Sequence, residues 1–361
     1  MTELAMTPSA AVRPRATTRI VALNGTRDPL YRRLISLVEP FHGLRYAQFV
    51  DHFYADNEWC RLNVLANDAD DILGVLVHEV VPFEVPGGRT IKLGFGSNFR
   101  AFQPGAGGVL FLNWLKQCQY GLVFGGSADT HRLLAPQRWT TYPGVSQFEL
   151  NAAFADAPGE AFWRSAAKTL LRASPMRRSV ESLADELPHD GSVRVEEQAV
   201  FTPDLFPATS PFEFRMLPDC DYLNWRYQTG LDFVRYRLFR IVRGSMTAGF
   251  VVLNEQPHRV LVAHADADDS LTLARGIVAA LALSSTGSRR RQGVVLTAAD
   301  DTLRSTFRQL GFRERTNARP FVIGSLIRKP DWPDDTSRWL VNFDWCDNGV
   351  RPPFLGQQPV R

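Results

Sequence analysis

The segment Ile91–Gly126 decides the fold, and it reads IKLGFGSNFRAFQPGAGGVLFLNWLKQCQYGLVFGG. Its first part is a predicted strand, which leads into the glycine-rich turn Gln103–Gly108. A helical stretch of apolar residues follows, and Gly121–Phe124 then form a short, fully apolar strand. A helix between two such strands packs on one face of a sheet, so the segment predicts one αβ unit.

The flanking sequence extends this unit into a domain, and the same layout then occurs a second time. From Thr18 the pattern gives a strand, two helices and two strands, and Asp28 with Pro29 marks the start of the first helix. After a polar break the order returns, and similar residues recur at a nearly constant offset: Tyr46 and Tyr222, Gly121 and Gly293, Asp129 and Asp301. Duplication of one αβ unit explains the offset, and chance similarity of two αβ domains is the alternative.

These patterns predict an α/β (α+β) protein with two similar domains, each a mostly antiparallel twisted sheet flanked by helices. We place a flexible arm at residues 1–17 and the first domain at 18–155. A helical linker is expected at 156–190, the second domain at 191–350 and a tail at 351–361.

Composition narrows the class of protein. The chain has 361 residues, 45% of them hydrophobic, which is ordinary for a soluble globular protein, and its net charge of +3 is low for a nucleic-acid binder. Its four cysteines form no CxxC pair, so no metal site is expected. The N-terminus lacks the apolar core of a signal peptide, and Lys116 interrupts the most apolar stretch. We therefore expect a cytoplasmic protein without a membrane span.

Two motifs add a family resemblance to this layout. The turn Phe102–Gly108 lies between a strand and a helix, and the late helix from Asp301 ends in Gly311-Phe312. Together with the order of elements, they resemble the GCN5-related N-acetyltransferase (GNAT) superfamily in a tandem form with one degenerate half. The resemblance implies acetyl-CoA or another acyl-CoA as co-substrate, with no metal.

The glycine turn has a physical role in such a protein. Backbone N–H groups at a helix N-terminus attract an anion, and glycine lets the pyrophosphate of coenzyme A approach closely. Phe102 stands where the family has Gln or Arg. The predicted cofactor-binding residues are Phe102, Gln103, Gly105, Ala106, Gly107 and Gly108.

The second copy has no such turn. Its equivalent junction, Ala263–Ser270, lacks glycine and carries Asp266, Asp268 and Asp269, whose charges would repel a pyrophosphate. We therefore expect only the first half to bind acyl-CoA.

Acyl transfer to an amine needs a base, because a free alkyl ammonium has a pKa of about 10.4. His78 and Glu79 interrupt an apolar strand, and adjacent strand residues point to opposite faces, so one of them should face the cleft. The resemblance implies a strand carboxylate as base and a tyrosine on the late helix as acid. The candidates are Glu79 and His131, with Tyr142 or Tyr120 as a substitute for the missing tyrosine. For Glu79 the structural alternative is a strand-end residue that reaches solvent, and the neighbouring Asp129 is expected to cap its helix.

Aromatic residues surround an arginine in the second half. Tyr222, Trp225 and Arg226 are predicted to line a substrate site, and packing of the two aromatic residues in the core is the alternative.

The leading hypothesis is an acyl-CoA-dependent N-acyltransferase that acetylates the amine of a small molecule or of a sugar or envelope precursor. Two alternatives remain. One is a catalytically inactive tandem GNAT-like protein that binds a CoA ester or a glycan, and the other is a FemABX-like aminoacyl transferase.

Overall fold

A computed structural model describes residues 17–40, 42–134, 138–151, 180–187, 193–256, 259–285, 293–316 and 320–345. The predicted N-terminal arm up to residue 16, most of the linker and the tail lie outside the described residues. The chain forms two sheets flanked by helices, which confirms the predicted fold class.

The first half contains seven strands and four helices in the described residues. Helix α1 begins as predicted, because the Asp28 side chain accepts a hydrogen bond from Leu30 N–H and Pro29 occupies the first turn. The elements are β1 (Thr18–Leu23), α1 (Pro29–Leu37), α2 (Ala47–Tyr54), β2 (Cys60–Asn67), β3 (Ile72–Val85), β4 (Arg89–Ala101), α3 (Ala106–Leu115), β5 (Tyr120–Phe124), α4 (Ala128–Leu134), β6 (Arg138–Thr141) and β7 (Ser146–Leu150).

The second half follows a similar order after the short helix α5 (Val180–Glu186). Its elements are β8 (Val193–Gln198), β9 (Arg215–Met216), α6 (Cys220–Arg226), β10 (Tyr236–Arg243), β11 (Met246–Glu255), β12 (Arg259–Ala267), α7 (Ser270–Ser285), β13 (Gly293–Ala298), α8 (Asp301–Gln309), β14 (Arg313–Thr316) and β15 (Phe321–Ser325).

The two halves exchange a strand. The first sheet has the order β1-β2-β3-β4-β5-β15-β6, so β15 of the second half lies between two strands of the first. The second sheet has the order β14-β7-β13-β12-β11-β10-β8, so β7 of the first half lies between β14 and β13. If the chain is divided at residues 155 and 191, β7 and β15 each fall in the half whose sheet they do not join.

Pairing is antiparallel throughout the two sheets except at two places. Strands β4 and β5 are parallel neighbours in the first sheet, and β12 and β13 are parallel in the second. The largest apolar core contains residues of both halves, such as Phe49 and Phe233, and so continues across the contact between them. This shared core holds the halves against each other at the site described below.

The apolar, aromatic segment Trp339–Trp345 forms no strand of either sheet. It runs beside β12 without joining a sheet: Asn342 Oδ1 accepts from Ala265 N–H at 2.9 Å, and Asp344 N–H donates to Ala263 O at 3.2 Å. Its aromatic and apolar side chains are buried, so packing rather than strand pairing fixes its path.

Two kinds of feature are absent from the described residues. No helix there has the length and apolar character needed to cross a membrane. No group of three or more His, Cys, Asp or Glu side chains in that part of the chain is arranged to hold a metal ion.

Candidate functional site

A cavity opens where β4 and β5 stop pairing. Their parallel register ends at Phe95 and Leu122, while β4 continues to Ala101. Beyond that point Gly96–Arg100 and Val123–Phe124 line a cavity of about 690 Å³. Helix α2 contributes Phe49, Phe53 and Tyr54 to its wall, and α3 contributes Phe111 and Trp114. The volume is in the range of small-molecule sites.

Trp114 closes one side of this cavity against the sheet. Its indole lies directly on the backbone of Gly96 and Gly121, where the Cβ of any larger residue would come within 3.1 Å and 3.0 Å of the ring. Glycine at these two positions makes room for the indole. A Cβ on Gly94 would also lie 2.8 Å from Trp114 Nε1, so the packing of α3 explains both glycines of the Gly94-Phe95-Gly96 sequence of β4.

The glycine turn begins helix α3 as predicted from the sequence. Gly105 precedes the helix with φ of +82°, a left-handed conformation that favours glycine. Ala106 N–H donates to Gln103 O at 3.2 Å, whereas Gly107 and Gly108 lie in the first turn, where N–H groups have no earlier helical carbonyl to reach. No atom lies within 4 Å of a Cβ built on Gly105 or Gly108. The surface at Gly105 and Gly108 is open enough for a phosphate group, whereas Gly107 is buried.

Other residues of the turn have structural contacts. The Phe102 and Gln103 N–H groups both donate to Leu73 O, at 2.8 Å and 3.1 Å, which ties the turn to β3. Ala106 is buried, and a Cβ on Gly107 would lie 3.2 Å from the ring of Phe99, a residue that lines the cavity. The turn therefore adjoins the cavity through Phe99.

The equivalent gap in the second half is filled. Strands β12 and β13 pair only from Arg259 to Leu261 on β12, and the segment Trp339–Trp345 lies beside them. Val341 O accepts from Thr297 Oγ1 of β13 at 2.8 Å, and Phe343 packs with Leu261. The chain itself thus occupies the place that is open in the first half.

The aspartates of the second junction make internal contacts. Asp266 pairs with Arg215 at 2.8 Å, and burial raises its pKa to about 6, although Arg215 opposes the shift. Asp268 and Asp269 both pair with Arg243, and Asp269 Oδ1 accepts from Thr272 N–H at the start of α7. Three carboxylates and a capped helix leave no site for an anion there.

Three predicted site residues meet beside the cavity: Glu79 and Arg226 line it, and Tyr222 contacts Glu79. Glu79 on β3 lines the cavity and accepts a hydrogen bond from Tyr222 O–H of α6. Arg226, one turn further along α6, has its Nε 3.6 Å from Glu79 Oε1. The expected alternation on β3 holds, because His78 points to the other face and bonds to Asn63 at 2.8 Å. Burial lowers the pKa of His78 to about 4.

Burial and neighbouring charges both affect Glu79, Tyr222 and Arg226. The side chains of Glu79 and Arg226 are only 14% and 10% exposed. Arg226 Nη2 also lies 3.1 Å from Asp344 Oδ2, and the two carboxylates hold the pKa of Arg226 well above its ordinary value despite its burial. Burial, with the Glu79 charge, raises the pKa of Tyr222. The arginine is thus fixed as a buried cation between two acids.

The structure does not bring the other predicted residues to the cavity. His131 bonds to Gly125 O at 2.8 Å at the surface of α4, near but not in the lining. Tyr142 is fully buried against Phe321 and Trp339, because it lies beside the exchanged strand β15. Trp225 packs on Trp59 and donates from Nε1 to His52 O at 3.2 Å, which is the core-packing alternative.

Sequence reasoning missed two residues of the site. The sequence does contain a signal for Trp114, because glycines recur at regular spacing on the two neighbouring strands that it faces. Asp344 has none that is local: it is one acid in an aromatic segment, and only the tertiary path of Trp339–Trp345 brings it to Arg226.

No family model matches the chain, and no curated protein matches it by sequence. Among solved structures, Saccharomyces cerevisiae N-myristoyltransferase with bound myristoyl-CoA is similar at a TM-score of 0.52 and 11% identity, over 93% of this chain and 94% of that chain. A tandem GNAT protein from the clavulanic acid biosynthesis pathway aligns at a TM-score of 0.48 and 14% identity, over 85% of this chain and 98% of that chain. Two helix-flanked sheets with a parallel strand pair beside a glycine turn, together with near full-length similarity to N-myristoyltransferase, show that this chain shares the fold of that enzyme, with two GNAT-like domains.

Proposed function

We propose that the protein is an acyl-CoA-dependent N-acyltransferase whose first half binds the acyl-CoA. The observation that carries the proposal is the continuity of one cavity. It begins at the gap between β4 and β5, beside the glycine turn, and reaches the Glu79–Tyr222–Arg226 group at the contact between the halves. A donor can therefore enter from one side and meet an acceptor beside a carboxylate.

The glycine turn would hold the pyrophosphate of the co-substrate. Gly107 and Gly108 contribute N–H groups at the positive end of the α3 dipole, and Gly105 lets the backbone approach without a side chain. The β4–β5 pairing ends at Phe95 and Leu122, so beyond that point β5 no longer pairs with β4, although β3 still pairs with Gly96, Ser97 and Arg100. The filled gap of the second half supports one acyl-CoA for each chain.

Glu79 would act as the general base. The amine must lose a proton as its nitrogen forms the amide bond to the acyl carbon and the carbon–sulfur bond of the thioester breaks. Glu79 takes that proton, and the sulfur leaves as a thiolate. Tyr222 fixes the Glu79 carboxylate by donating to it, and Arg226 partly offsets its charge. We assign no acid for the thiolate.

The proposal extends to the two substrates and to the location of the protein. We propose acetyl as the acyl group, the amine of a small molecule or amino sugar as acceptor, and the cytoplasm as the location. The acceptor would approach between the halves, where Arg226 lines the cavity opposite the β4–β5 gap.

The test combines binding and turnover. Calorimetry with CoA and acetyl-CoA measures the donor site, and release of free thiol is followed with a panel of primary amines and amino sugars. Glu79→Gln should keep CoA affinity and lower turnover by about 10²–10⁴-fold, the usual contribution of a general base. Glu213→Gln, an exposed partner of Arg338, is the matched control and should change neither.

Two results would contradict the proposal. Absence of CoA binding would remove the donor site. Binding of CoA without turnover of any amine would favour a catalytically inactive binding protein instead.

A further inference from the structure

Arg226 lies between two carboxylates that come from distant parts of the chain. Glu79 is on β3 of the first half, and Asp344 is on the segment Trp339–Trp345. The shorter contact is to Asp344, at 3.1 Å, compared with 3.6 Å to Glu79. The Asp344 side chain is completely buried, so water does not compete for this pair.

Several contacts fix the position of Asp344 and of the guanidinium. Asp344 N–H donates to Ala263 O at 3.2 Å, and the neighbouring Trp345 packs on Phe95 of β4. The guanidinium lies over the rings of Phe53 and Tyr227, at 5.3 Å and 5.8 Å from their centroids. A small pocket lined by Glu79, Arg226 and Asp344 connects the three charged groups.

We propose that Asp344 is a positioning residue for Glu79 and acts through Arg226. This inference rests on the function proposed above. Asp344 engages the outer nitrogen of the guanidinium and keeps it from turning fully onto Glu79. Glu79 is then held by its hydrogen bond from Tyr222, and its negative charge is only partly compensated. A carboxylate in that state is a better proton acceptor than one in a close, exclusive ion pair with arginine.

The charges around Glu79 show in which direction the loss of the Asp344 charge should change its affinity for a proton. The titratable groups that face Glu79 are Cys60 on β2, Tyr222 and Arg226 on α6, and Tyr236 on β10, with Asp344 behind Arg226. Of these, Arg226 is the cation. Removing the charge of Asp344 leaves the whole charge of Arg226 to Glu79 and removes a nearby like charge. Both changes favour the ionised form of Glu79, so Glu79 should become a weaker proton acceptor.

The experiment measures the Glu79 carboxyl directly, in the full chain. Glutamate labelled with carbon-13 at the carboxyl is incorporated, and the signal lost in Glu79→Gln assigns the residue. In Asp344→Asn the measured titration midpoint of Glu79 should lie below that of the wild type. Asp344→Glu, which restores the charge, should bring it back towards the wild-type value. Asp334→Asn, an exposed aspartate before the same segment, should leave it unchanged.

Turnover of acetyl-CoA with the most active amine of the panel is the second measurement. Asp344→Asn should lower kcat at least tenfold with little change in CoA affinity, and the acidic limb of its pH profile should shift to lower pH. If the wild-type protein shows no turnover, the proposed function is refuted. The carboxyl titration does not depend on turnover, so it still tests the role of Asp344. An identical Glu79 midpoint in wild type and folded Asp344→Asn overturns the inference.

Discussion

Substitution of Gly108 by aspartate tests the proposed CoA site without disturbing the fold. A Cβ on Gly108 would meet no atom within 4 Å, and its backbone is outside the left-handed region, so a side chain fits there without strain. Gly107 is less suitable, because its Cβ would press on Phe99 at 3.2 Å. An aspartate in the first turn of a helix is stabilising by about 0.3–1 kcal/mol. Gly108→Asp should therefore fold at least as well as wild type.

The same charge should strongly weaken CoA binding. Two unit charges about 4 Å apart interact by about 4 kcal/mol at an effective dielectric constant near 20, which corresponds to roughly 10³-fold in affinity. Because the turn is partly exposed, screening reduces this value, and we expect a loss of about 10- to 10³-fold in 50 mM salt. Higher salt should narrow the difference between the variant and wild type.

Calorimetric titration with CoA measures the effect, and Gly108→Asn is the matched control. Asparagine has the shape of aspartate without its charge, so its CoA affinity should stay within a few-fold of wild type. Thermal unfolding confirms that both variants are folded. If folded Gly108→Asp binds CoA as tightly as Gly108→Asn, the pyrophosphate does not lie at the start of α3, and the donor site must be placed elsewhere.

Three further predictions concern the fold. Gly121→Ala should destabilise the protein by about 1–3 kcal/mol in urea unfolding, because its methyl would lie 2.6 Å from Leu115 Cδ2, whereas Gly230→Ala, with open space, should not. Burial lowers the pKa of His264 to about 3, so its contribution to stability is present above pH 6.5 and lost as pH falls towards 3. His264→Phe should flatten the pH dependence of the unfolding free energy in that window, and an unchanged slope would refute this origin. Truncation before β15 should abolish cooperative unfolding, since residues 321–325 complete the first sheet; a two-state transition in the fragment would contradict it.

Features set by local sequence could be predicted. Asp28 caps α1 because an aspartate before Pro29 satisfies a free N–H group in any protein. The glycine turn before α3 and the alternation at His78 and Glu79 are also local. Glu79 and Arg226 could each be proposed from their own surroundings, since a charged residue in an apolar strand or an aromatic helix needs a partner. That they are partners of each other is a property of the tertiary fold.

The exchanged strands show where local pattern stops being informative. Strands β7 and β15 are short, with five residues each, and neither residue composition nor spacing states which sheet they will join. Chain order favours pairing with sequence neighbours, yet β7 pairs with β13 and β15 with β5. Each exchange places a strand of one half in the sheet of the other, so the halves cannot separate without breaking both sheets. The site depends on that link: Glu79 comes from the first sheet, Arg226 and Asp344 come from the second half, and only a fixed contact between the halves holds Arg226 within ion-pair distance of both acids.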